Sequence, residues 1–418
     1  MSAPSNLDEF EKQLFFRPHD LKVIQADKTS PYSAPQEWED LFDYDTYSDL
    51  HQKLIDHNFE KPSSIQASSI SIATKEDHPS ILAQAQNGSG KTLAFVVNAL
   101  LRVDRNMDKV QIVILVPTQE LVDQTEEYFE KLAPEGVTYT KIDKYGISID
   151  EIGHIVIASP GLFFNTAAVV PQLRDIDVFV IDECDEVITN KIYHEDLEKY
   201  AGQIKNAQFL LYSATLVDKL NEFINKFRPD IQKIILPQKN VINRTNKHFY
   251  IYCKEGTNKI DAIRIMFAYL YQFQTFIFFN TKDYLQRVQK QLEALKLECD
   301  WCSGKRTKEE RREVVKKFRE QKIKVLLTTN LLARGIDIPT CKVVINFDMP
   351  RKENRLPDYE SYLHRQGRCG RFGKEGKVFN IITNKDDLEM IEYIKKTYSI
   401  EITEISPQDV QRFFEKNK

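Results

Sequence analysis

One stretch, Ile81–Phe95, constrains the fold of this chain more than any other. It reads ILAQAQNGSGKTLAF, so that a short apolar strand leads through a glycine-containing turn into a helix. Glycines let the backbone curl until several N–H groups point at one phosphate, and the N-terminus of the helix adds its positive end. The stretch therefore predicts a phosphate loop, whose residues are Asn87, Gly88, Ser89, Gly90, Lys91 and Thr92.

Two side chains of this loop suit a nucleoside triphosphate bound with magnesium. Lys91 supplies a point charge for the outer phosphates, and the hydroxyl of Thr92 is a suitable Mg²⁺ ligand. The position of the usual first glycine holds Ala85, which departs from the general pattern. The loop predicts nucleotide binding, and the residues that complete the site must come from elsewhere in the chain.

Composition narrows the class of protein. With 418 residues, of which 42% are hydrophobic and 29% charged, the chain has room for two or three globular domains. No apolar run approaches about 18 residues, so we expect no membrane span. The N-terminus lacks the basic start and apolar core of a secretory signal, so we do not interpret it as one. The six cysteines are scattered, which fits a reducing compartment, and we interpret Cys299 and Cys302 as ordinary thiols rather than a zinc or redox pair.

The net charge of −4 hides an asymmetry along the chain. Residues 237–418 carry 36 Lys and Arg against 24 Asp and Glu, whereas residues 1–236 carry 22 against 38. A basic half beside an acidic half indicates a polyanionic partner that is held in part by the second half. A solvated charged surface explains the charges alone equally well.

Hydrophobic periodicity divides the chain into four parts. Helix and strand patterns alternate from Trp38, lapse in a polar stretch and then start again, and the strands are short, continuous apolar runs. We therefore predict two parallel-sheet α/β domains, at 38–237 and 248–418, joined by a linker at 238–247 and preceded by an extension at 1–37. The predicted strands are Ile81–Gln84, Gln111–Val116, His154–Ala158, Val178–Ile181, Phe209–Tyr212, His248–Cys253, Thr275–Phe279, Lys324–Thr328, Val343–Phe347 and Val378–Ile382.

The extension contains a short helical pattern. Leu7, Phe10 and Leu14 recur at helical spacing and predict an amphipathic helix at about 6–16. Its apolar face needs a surface to cover. That surface is either the core of its own domain, which we favour, or a regulatory cleft.

Acidic residues follow the apolar strand that ends at Ile181. After a phosphate loop, such a strand end presents a carboxylate to Mg²⁺, so we predict that Asp182 holds the ion directly or through water. Glu183 is the candidate that polarises an attacking water. Asp185 is interpreted as the N-cap of the next helix.

Two further segments carry polar side chains at special positions. Ser213–Thr215 follows a predicted strand, and its hydroxyls either bridge carboxylates to another lobe or simply cap a helix. The segment 364–371 reads HRQGRCGR, and its glycines let the backbone approach a ligand closely. Arg368 and Arg371 are candidate arginine fingers that stabilise charge on the outer phosphates. The alternative is a basic loop that contacts RNA or only solvent.

Together, these segments resemble the motifs of the DEAD-box ATP-dependent RNA helicases, in the same order and spacing from about residue 38 to the C-terminus. The resemblance implies two tandem RecA-like domains, an RNA-stimulated ATPase, and ATP with Mg²⁺ as cofactors. It also explains Ala85, because that family has alanine at this position. The matching runs are PSSIQ (62–66), AQNGSGKT (85–92), PTQEL (117–121), SPG (159–161), DECD (182–185), SAT (213–215), ARGID (333–337) and HRQGRCGR (364–371).

The resemblance implies a role for each matching residue. Gln66 reads the adenine edge through two hydrogen bonds, and an upstream aromatic stacks on the base, with Trp38 preferred to Phe42. Gly335 and Asp337 belong to the ATP site, with Asp337 on the ribose. The implied catalytic residues are Lys91, Asp182, Glu183, Arg368 and Arg371, and Thr92 and Asp182 hold Mg²⁺ partly through water. The implied coupling residues are Ser213, Thr215 and His364, and the implied RNA contacts are Pro117, Thr118, Ser159, Gly161, Gly304, Arg311 and Thr329.

Several residues depart from the family pattern on the RNA side of the first domain. Gln119 stands in place of the usual arginine, the paired glycines after that motif are missing, with only Gly146 nearby, and Ser159 replaces a common threonine. The matching residues that face ATP are intact. We therefore expect ATP hydrolysis to be retained and RNA affinity or coupling to be altered. An ATP-dependent RNA clamp with little turnover is an alternative.

Within the family, the chain most resembles the mRNA-export helicases of the nuclear pore, through runs such as IQADKTSPYSA, TTNLLARGID and PDYESYLHR. That branch implies a monomer in cytoplasm and nucleus, at the cytoplasmic face of the pore, with an N-terminal helix that inhibits. It also implies a pore-associated activator with inositol hexakisphosphate and a nucleoporin as partners, besides RNA bound without sequence preference. The DECD spelling favours a general or splicing-branch DEAD-box helicase, whereas the HRxGR pattern and AQNGSGKT disfavour it. That alternative and a DNA helicase both stay open.

Overall fold

The computed structural model of the chain contains two compact units, each built around one sheet. The predictions for a helix at 6–16 and for Asn87, Gly335, Asp337 and Arg371 fall outside the described residues and stay predictions. The described residues are 22–24, 35, 37–85, 88–143, 152–235, 242, 245–253, 258–330, 338, 340–352, 354–370, 375–410 and 412.

Eight strands form the sheet of the first unit: β1 (Lys22–Ile24), β2 (Ile81–Gln84), β3 (Ile112–Leu115), β4 (Tyr139–Lys141), β5 (Ile155–Ala158), β6 (Val178–Ile181), β7 (Gln208–Ser213) and β8 (Gln232–Ile235). Their order across the sheet is β1-β8-β2-β7-β6-β3-β5-β4. Neighbouring strands are parallel except for β1, which runs antiparallel to β8. Parallel neighbours need crossover connections, which the helices between them supply.

Seven parallel strands form the sheet of the second unit: β9 (Lys247–Tyr252), β10 (Gln274–Phe278), β11 (Asp300–Cys302), β12 (Val325–Thr328), β13 (Cys341–Asn346), β14 (Lys377–Ile382) and β15 (Ile402–Glu404). Their order is β11-β12-β10-β13-β14-β9-β15. The first strand of this unit along the chain, β9, lies next to the edge strand β15, and the other edge strand is β11.

Thirteen α-helices connect the strands within the described residues. None of these helices is both long and apolar enough to cross a bilayer. The helices of the first unit are α1 (Tyr44–Asp56), α2 (Ser64–Ala73), α3 (Lys91–Arg102), α4 (Gln119–Leu132), α5 (Pro160–Ala167), α6 (Cys184–Thr189), α7 (His194–Gln203) and α8 (Asp218–Phe227). Those of the second unit are α9 (Lys259–Leu270), α10 (Lys282–Ala294), α11 (Lys308–Arg319), α12 (Tyr359–Gln366) and α13 (Lys385–Tyr398).

Helices cover both faces of the second sheet. Along β10, Ile277 packs in one cluster with side chains of α9 and α10, whereas Phe276 and Phe278 pack in another with side chains of α11. Phe276 meets Phe318 of α11 edge to face at 4.8 Å between ring centroids. Because successive side chains point to opposite faces and both faces are buried, the central strands have to be apolar throughout.

The predicted fold class of tandem parallel-sheet α/β domains is confirmed. The ten predicted strands are all present, with ends that differ by at most two residues. Five strands were not predicted: β1, β4, β8, β11 and β15. The backbone of Lys22–Ile24 pairs with β8, so the first sheet begins within the segment that the sequence assigns to the extension.

The six cysteines are free thiols. Burial raises the pKa of Cys299 to about 12, so that thiol is protonated at neutral pH. A protonated thiol is neither a nucleophile nor a metal ligand, which supports the interpretation of Cys299 as an ordinary packing residue.

Candidate functional site

The carboxyl ends of five neighbouring strands meet at one edge of the first sheet. The register places Gln84 of β2 beside Ser213 of β7, and Ile181 of β6 beside Leu115 of β3. Ala158 of β5 lies on the other side of Leu115. Ligands of open parallel sheets bind outside these ends. The phosphate loop follows β2, Asp182 and Glu183 follow β6, and Ser213–Thr215 begins at the last residue of β7. All three are therefore brought to one edge.

Gln66 joins the start of α2 to the phosphate loop. Its Oε1 accepts a hydrogen bond from the N–H of Ser63 at 2.7 Å, and its Nε2 donates to the carbonyl of Gly90 at 3.0 Å. A Cβ atom on Gly90 would lie 2.3 Å from that Nε2, and Gly90 has a φ of 94°, so only glycine fits there. The amide retains one N–H and one lone pair for a base edge, which is compatible with the predicted reading of adenine.

Lys91 is the first residue of α3 and closes the phosphate loop. Its Nζ donates to the carbonyl of Ala85 at 2.6 Å, and the side chain is 7% exposed. The hydroxyl of Ser89 is buried and finds no hydrogen-bond partner among the described residues. A buried ammonium and a buried hydroxyl at a helix N-terminus are donors that a phosphate group satisfies. The residues of the loop therefore fit the outer phosphates of a nucleotide.

Asp182 and Glu183 directly follow β6, and both side chains are buried. Oδ1 of Asp182 accepts a hydrogen bond from the N–H of Glu183 at 2.9 Å. Glu183 has a φ of 45°, a left-handed conformation that costs a residue with a side chain on the order of 1 kcal/mol. Strain of this kind concentrates at functional sites, which supports the assignment of the two carboxylates to the site.

The segment Ser213–Thr215 connects the strand of the phosphate loop to α6. The N–H of Ala85 donates to the carbonyl of Ser213 at 3.0 Å, and Oγ1 of Thr215 donates to Oδ2 of Asp185 at 2.6 Å. Oγ of Ser213 also accepts from the N–H of Thr215 at 3.0 Å. Short polar contacts thereby connect the phosphate loop to α6.

The interpretation of Asp185 as a helix N-cap is wrong. Glu183 occupies the cap position of α6, and Asp185 lies in its first turn. Its carboxylate instead binds the hydroxyl of Thr215, 30 residues further along the chain. Local spacing does not reveal such a contact, because it depends on β6 and β7 being neighbours in the sheet.

Thr92 and Asp182 are the residues that would hold Mg²⁺. Among the described residues, no group of three or more His, Cys, Asp or Glu could form a metal site by itself. Mg²⁺ is usually bound through one or two carboxylates together with substrate phosphates and water. One hydroxyl and one carboxylate therefore fit an ion that binds together with the nucleotide.

Trp38 does not present an open ring face. The indole is 0% exposed, and its Nε1 donates to the carbonyl of Phe59 at 2.7 Å. The neighbouring Phe42 is 9% exposed, with its ring centroid 6.4 Å from that of Trp38. Stacking on adenine needs an accessible face, so this structure does not support the stacking role of either aromatic.

Two helices begin at the same edge, next to the predicted RNA contacts Pro117, Thr118, Ser159 and Gly161. Thr118 caps α4 with its hydroxyl, and Ser159 immediately precedes α5. Helix N-termini carry partial positive charge and free N–H groups, which suit the phosphates of a nucleic acid. A Cβ on Gly161 would lie 3.2 Å from the ring of Tyr193, a residue that no motif indicated.

Gln119, which replaces the usual arginine, is the first residue of α4 and is 6% exposed. Both polar atoms of its amide are buried without a hydrogen-bond partner in the part of the chain that the structure describes. An unsatisfied buried amide costs about 1–3 kcal/mol. Gln119 therefore lowers the stability of the first unit through its unsatisfied amide, and it adds no charge near the predicted RNA contacts.

Replacing Gln119 by leucine is expected to raise the free energy of unfolding of the first unit by about 1 kcal/mol, since the unsatisfied amide is removed. Urea unfolding followed by the fluorescence of Trp38 measures this in a Trp301→Phe background, because those are the two tryptophans of the chain. Gln124→Leu, at a half-exposed position of the same helix, is the control and should give no gain. An unchanged or lower stability of Gln119→Leu would show that the amide is satisfied in solution.

The predicted RNA contacts of the second unit lie at the carboxyl edge of its sheet. Gly304 and Thr329 follow the neighbouring strands β11 and β12, and Arg311 lies in the first turn of α11. Gly304 is exposed, Arg311 is half-buried and Thr329 is 8% exposed. A Cβ on Gly304 would lie 2.9 Å from Nζ of Lys282, so the backbone passes close to this ammonium.

Arg365 serves the scaffold of the second unit. It is fully buried, and its guanidinium donates to Oδ1 of Asn280, Asn330 and Asn346 and to the carbonyl of Asp348, at 2.7–3.2 Å. Burial lowers the pKa of Arg365 to about 10, so the group remains charged at neutral pH. A buried charge with this many hydrogen bonds fixes the start of the arginine segment, which comprises residues 364–371.

Arg368 and His364 are also buried, at 2% and 0% exposure. Nε of Arg368 donates to the carbonyl of His364 at 3.3 Å. The sequence singled out Arg368 and Arg371 as candidate fingers and gave no role to Arg365. In the structure, Arg365 has a scaffold role. Arg368 is therefore the candidate arginine finger among the described residues.

A phosphate loop, acids after a neighbouring strand and a second parallel-sheet unit with an arginine segment define a P-loop nucleoside triphosphatase of the two-domain helicase type. The family model for the DEAD/DEAH box helicases matches residues 63–223, and the model for the helicase conserved C-terminal domain matches residues 258–373.

Relatives agree with these matches. ATP-dependent RNA helicase DDX19A of Bos taurus is 32% identical over 401 residues, which are 93% of this chain and 83% of that protein. The structure of S. cerevisiae Dbp5 bound to RNA and ADP BeF3 is similar with a TM-score of 0.83 at 28% identity, over 89% of this chain and 97% of that one. A structure of an S. cerevisiae Dbp5 variant with Nup159, Gle1, IP6 and ADP gives 0.64 at 28% identity, over 88% and 98%. This chain belongs to the DEAD-box family and is an ATP-hydrolysing RNA helicase.

Proposed function

We propose that this protein uses RNA-stimulated ATP hydrolysis to separate short RNA duplexes locally and to remodel mRNA–protein complexes. The observation that carries the proposal is the chain of contacts at the edge of the first sheet. Gln66 binds the carbonyl of Gly90, Lys91 binds that of Ala85, and Thr215 binds Asp185. A nucleotide that alters one of these contacts disturbs its neighbours, which is what coupling between ATP and a remote ligand requires.

The side chains of the first unit supply the ATP-binding half of the chemistry. Gln66 selects the base, and Lys91 with the loop N–H groups holds the outer phosphates. Mg²⁺, held by Thr92 and Asp182, would neutralise charge on the phosphates. Glu183 orients the attacking water and accepts its proton.

The arginine segment of the second unit supplies the other half. Arg368, with Arg371 in the same segment, stabilises the negative charge that develops on the transferred phosphoryl group. Binding of ATP and RNA together brings this segment to the nucleotide, and hydrolysis releases it. The conformational cycle is thereby tied to one turnover of ATP.

RNA is held through its backbone rather than its bases. The helix N-termini after Thr118 and Ser159 suit phosphates, and Gly304, Arg311 and Thr329 extend the same kind of surface on the second unit. Contacts to phosphates and 2′-hydroxyls distinguish RNA from DNA without reading sequence. This supports action on many RNAs rather than on one target.

We place this activity in mRNA export at the cytoplasmic face of the nuclear pore. The ground is the likeness to the Dbp5 structure that contains Nup159, Gle1 and IP6. A Gle1-like activator with inositol hexakisphosphate, and a Nup159-like nucleoporin, are the proposed protein partners of a monomeric enzyme in cytoplasm and nucleus.

Phosphate release at saturating ATP, with and without RNA, tests the proposal. Single-stranded RNA is expected to stimulate hydrolysis, Gle1 with IP6 to stimulate it further, and single-stranded DNA of the same length to stimulate it much less. Lys91→Ala, which lacks the phosphate-binding ammonium, is the inactive control.

Absence of stimulation at saturating RNA would overturn the proposal. ATP-dependent RNA retention in that case would identify a clamp with little turnover, an alternative favoured by the uncharged Gln119. Equal stimulation by DNA and RNA would instead identify a DNA helicase.

A further inference from the structure

Two residues directly before β9 hold the arginine segment. Nδ2 of Asn246 donates to the backbone carbonyl and to Oε1 of Gln366, both at 2.9 Å. Oγ1 of Thr245 donates to the carbonyl of Gly370 at 3.3 Å. These bonds grip the segment on both sides of Arg368. The segment is therefore attached to the last residues of the predicted linker.

Asn246 is closely enclosed, so its position is well defined. Its side chain is 6% exposed. A Cβ atom added to Gly370 would lie 1.9 Å from Oδ1 of Asn246, and one added to Gly376 would lie 2.2 Å from the same oxygen. Gly370 also has a φ of 66°, which favours glycine. The N–H of Lys247 donates to the carbonyl of Gly376 at 2.9 Å. Two glycines thus make room for one asparagine, which leaves its amide little freedom to move.

A second set of contacts fixes the other end of the segment. Arg365 is held by the asparagine hydrogen bonds described above, and the ring of His248 in β9 makes a 3.0 Å hydrogen bond through Nδ1 to the hydroxyl of Tyr362 in α12. Asn380 also donates to the hydroxyl of Tyr362, at 3.4 Å. Arg368 therefore lies between Arg365 and Gln366, which are held on one side, and Gly370, which Thr245 holds on the other.

We propose that Asn246 is a positioning residue for ATP hydrolysis, which fixes Arg368 at the place where its charge is needed and makes that place depend on the adjoining linker. The inference rests on the proposed role of Arg368. Position matters here because a displacement of about 1 Å by a change outside the reacting groups costs on the order of 100-fold in rate.

Asn246→Asp is the sharpest test, since aspartate keeps the shape but loses both N–H donors and sets a carboxylate against the carbonyl of Gln366. In the full chain with saturating RNA, kcat is expected to fall between about tenfold and about a hundredfold. KM for ATP and the Kd for RNA are expected to stay unchanged, because other residues set them. Asn246→Ala removes the donors without adding charge and should give the same division between kcat and KM. A wild-type kcat in both variants would overturn the inference.

Asn258→Ala is the matched control for lost stability. Asn258 caps α9 in the same unit, where its Oδ1 accepts from the N–H of Ile260 at 3.0 Å, and no described hydrogen bond joins it to the arginine segment. It should lower the thermal unfolding midpoint without lowering kcat. If Asn258→Ala lowers kcat as much as Asn246→Ala at an equal loss of stability, the effect of Asn246 is general and the inference fails.

A double-mutant cycle with Arg368→Ala separates this inference from the proposed function. Under single-turnover conditions, Asn246→Asp should add no further loss in the Arg368→Ala background, because a positioning residue has nothing left to position. An equal loss in both backgrounds would show that Asn246 acts independently of Arg368 and would overturn the inference. Full activity of Arg368→Ala would instead overturn the proposed role of Arg368 itself.

Discussion

A Glu183→Gln variant is expected to bind ATP and RNA but to lose hydrolysis. Glutamine has nearly the shape of glutamate, so it preserves the strained turn between β6 and α6, but it cannot accept the proton of the attacking water. Removal of a general base costs about 10²–10⁴-fold in rate. Phosphate release at saturating ATP and RNA measures turnover, and the fluorescence anisotropy of labelled RNA, with and without ATP, measures binding.

Glu195→Gln provides the same change of charge at an exposed position of α7 and should leave both quantities unchanged. Normal turnover in Glu183→Gln would remove Glu183 from the role of base. Loss of ATP binding together with turnover would show instead that this carboxylate mainly holds the site in shape.

Arg368→Ala is expected to lower kcat by about 10³–10⁵-fold while ATP affinity changes little. The guanidinium is proposed to act on charge that is present in the transition state and not in bound ATP, so its removal affects the rate rather than the ground-state complex. Single-turnover hydrolysis with excess enzyme measures the residual rate, and binding of a fluorescent ATP analogue measures affinity.

Loss of a buried side chain also lowers stability, so the thermal midpoint of Arg368→Ala has to be compared with its rate. Arg264→Ala, which removes an exposed arginine of the same unit from an ion pair with Asp261, controls for the lost charge. Arg368→Lys keeps the charge without the planar fork and should give an intermediate rate. A wild-type kcat in Arg368→Ala would contradict the role of the finger.

The strands that could be predicted and those that could not differ in their position in the sheet. β2, β3, β5 and β6 are buried along their whole length, so their sequences are continuous apolar runs. Four of the five strands that were missed, β1, β4, β11 and β15, are the edge strands of the two sheets, and the fifth, β8, is only partly buried. β4, for example, is half-buried at each residue and reads Tyr-Thr-Lys. Its pairing with β5 is a tertiary contact that leaves no periodic signal in three residues.

The residues of the candidate site also differ in whether the sequence could predict them. Residues of the phosphate loop, such as Gly90 and Lys91, could be predicted because the loop is contiguous in sequence. The contact between Thr215 and Asp185 could not, since it requires two strands to be neighbours. The burial of Trp38 could not be predicted either, because an aromatic residue is suited both to stacking on a base and to packing in a core.

Strand β1 affects how the N-terminal extension can be studied. Its backbone pairs with β8, whose N–H and C=O groups would otherwise form an open sheet edge that can pair with a strand of another molecule. Deletion of residues 1–30 would remove this cover together with the predicted helix at 6–16, so changed activity and self-association would become confounded. A deletion that ends before Lys22 removes the helix and leaves the edge protected against aggregation.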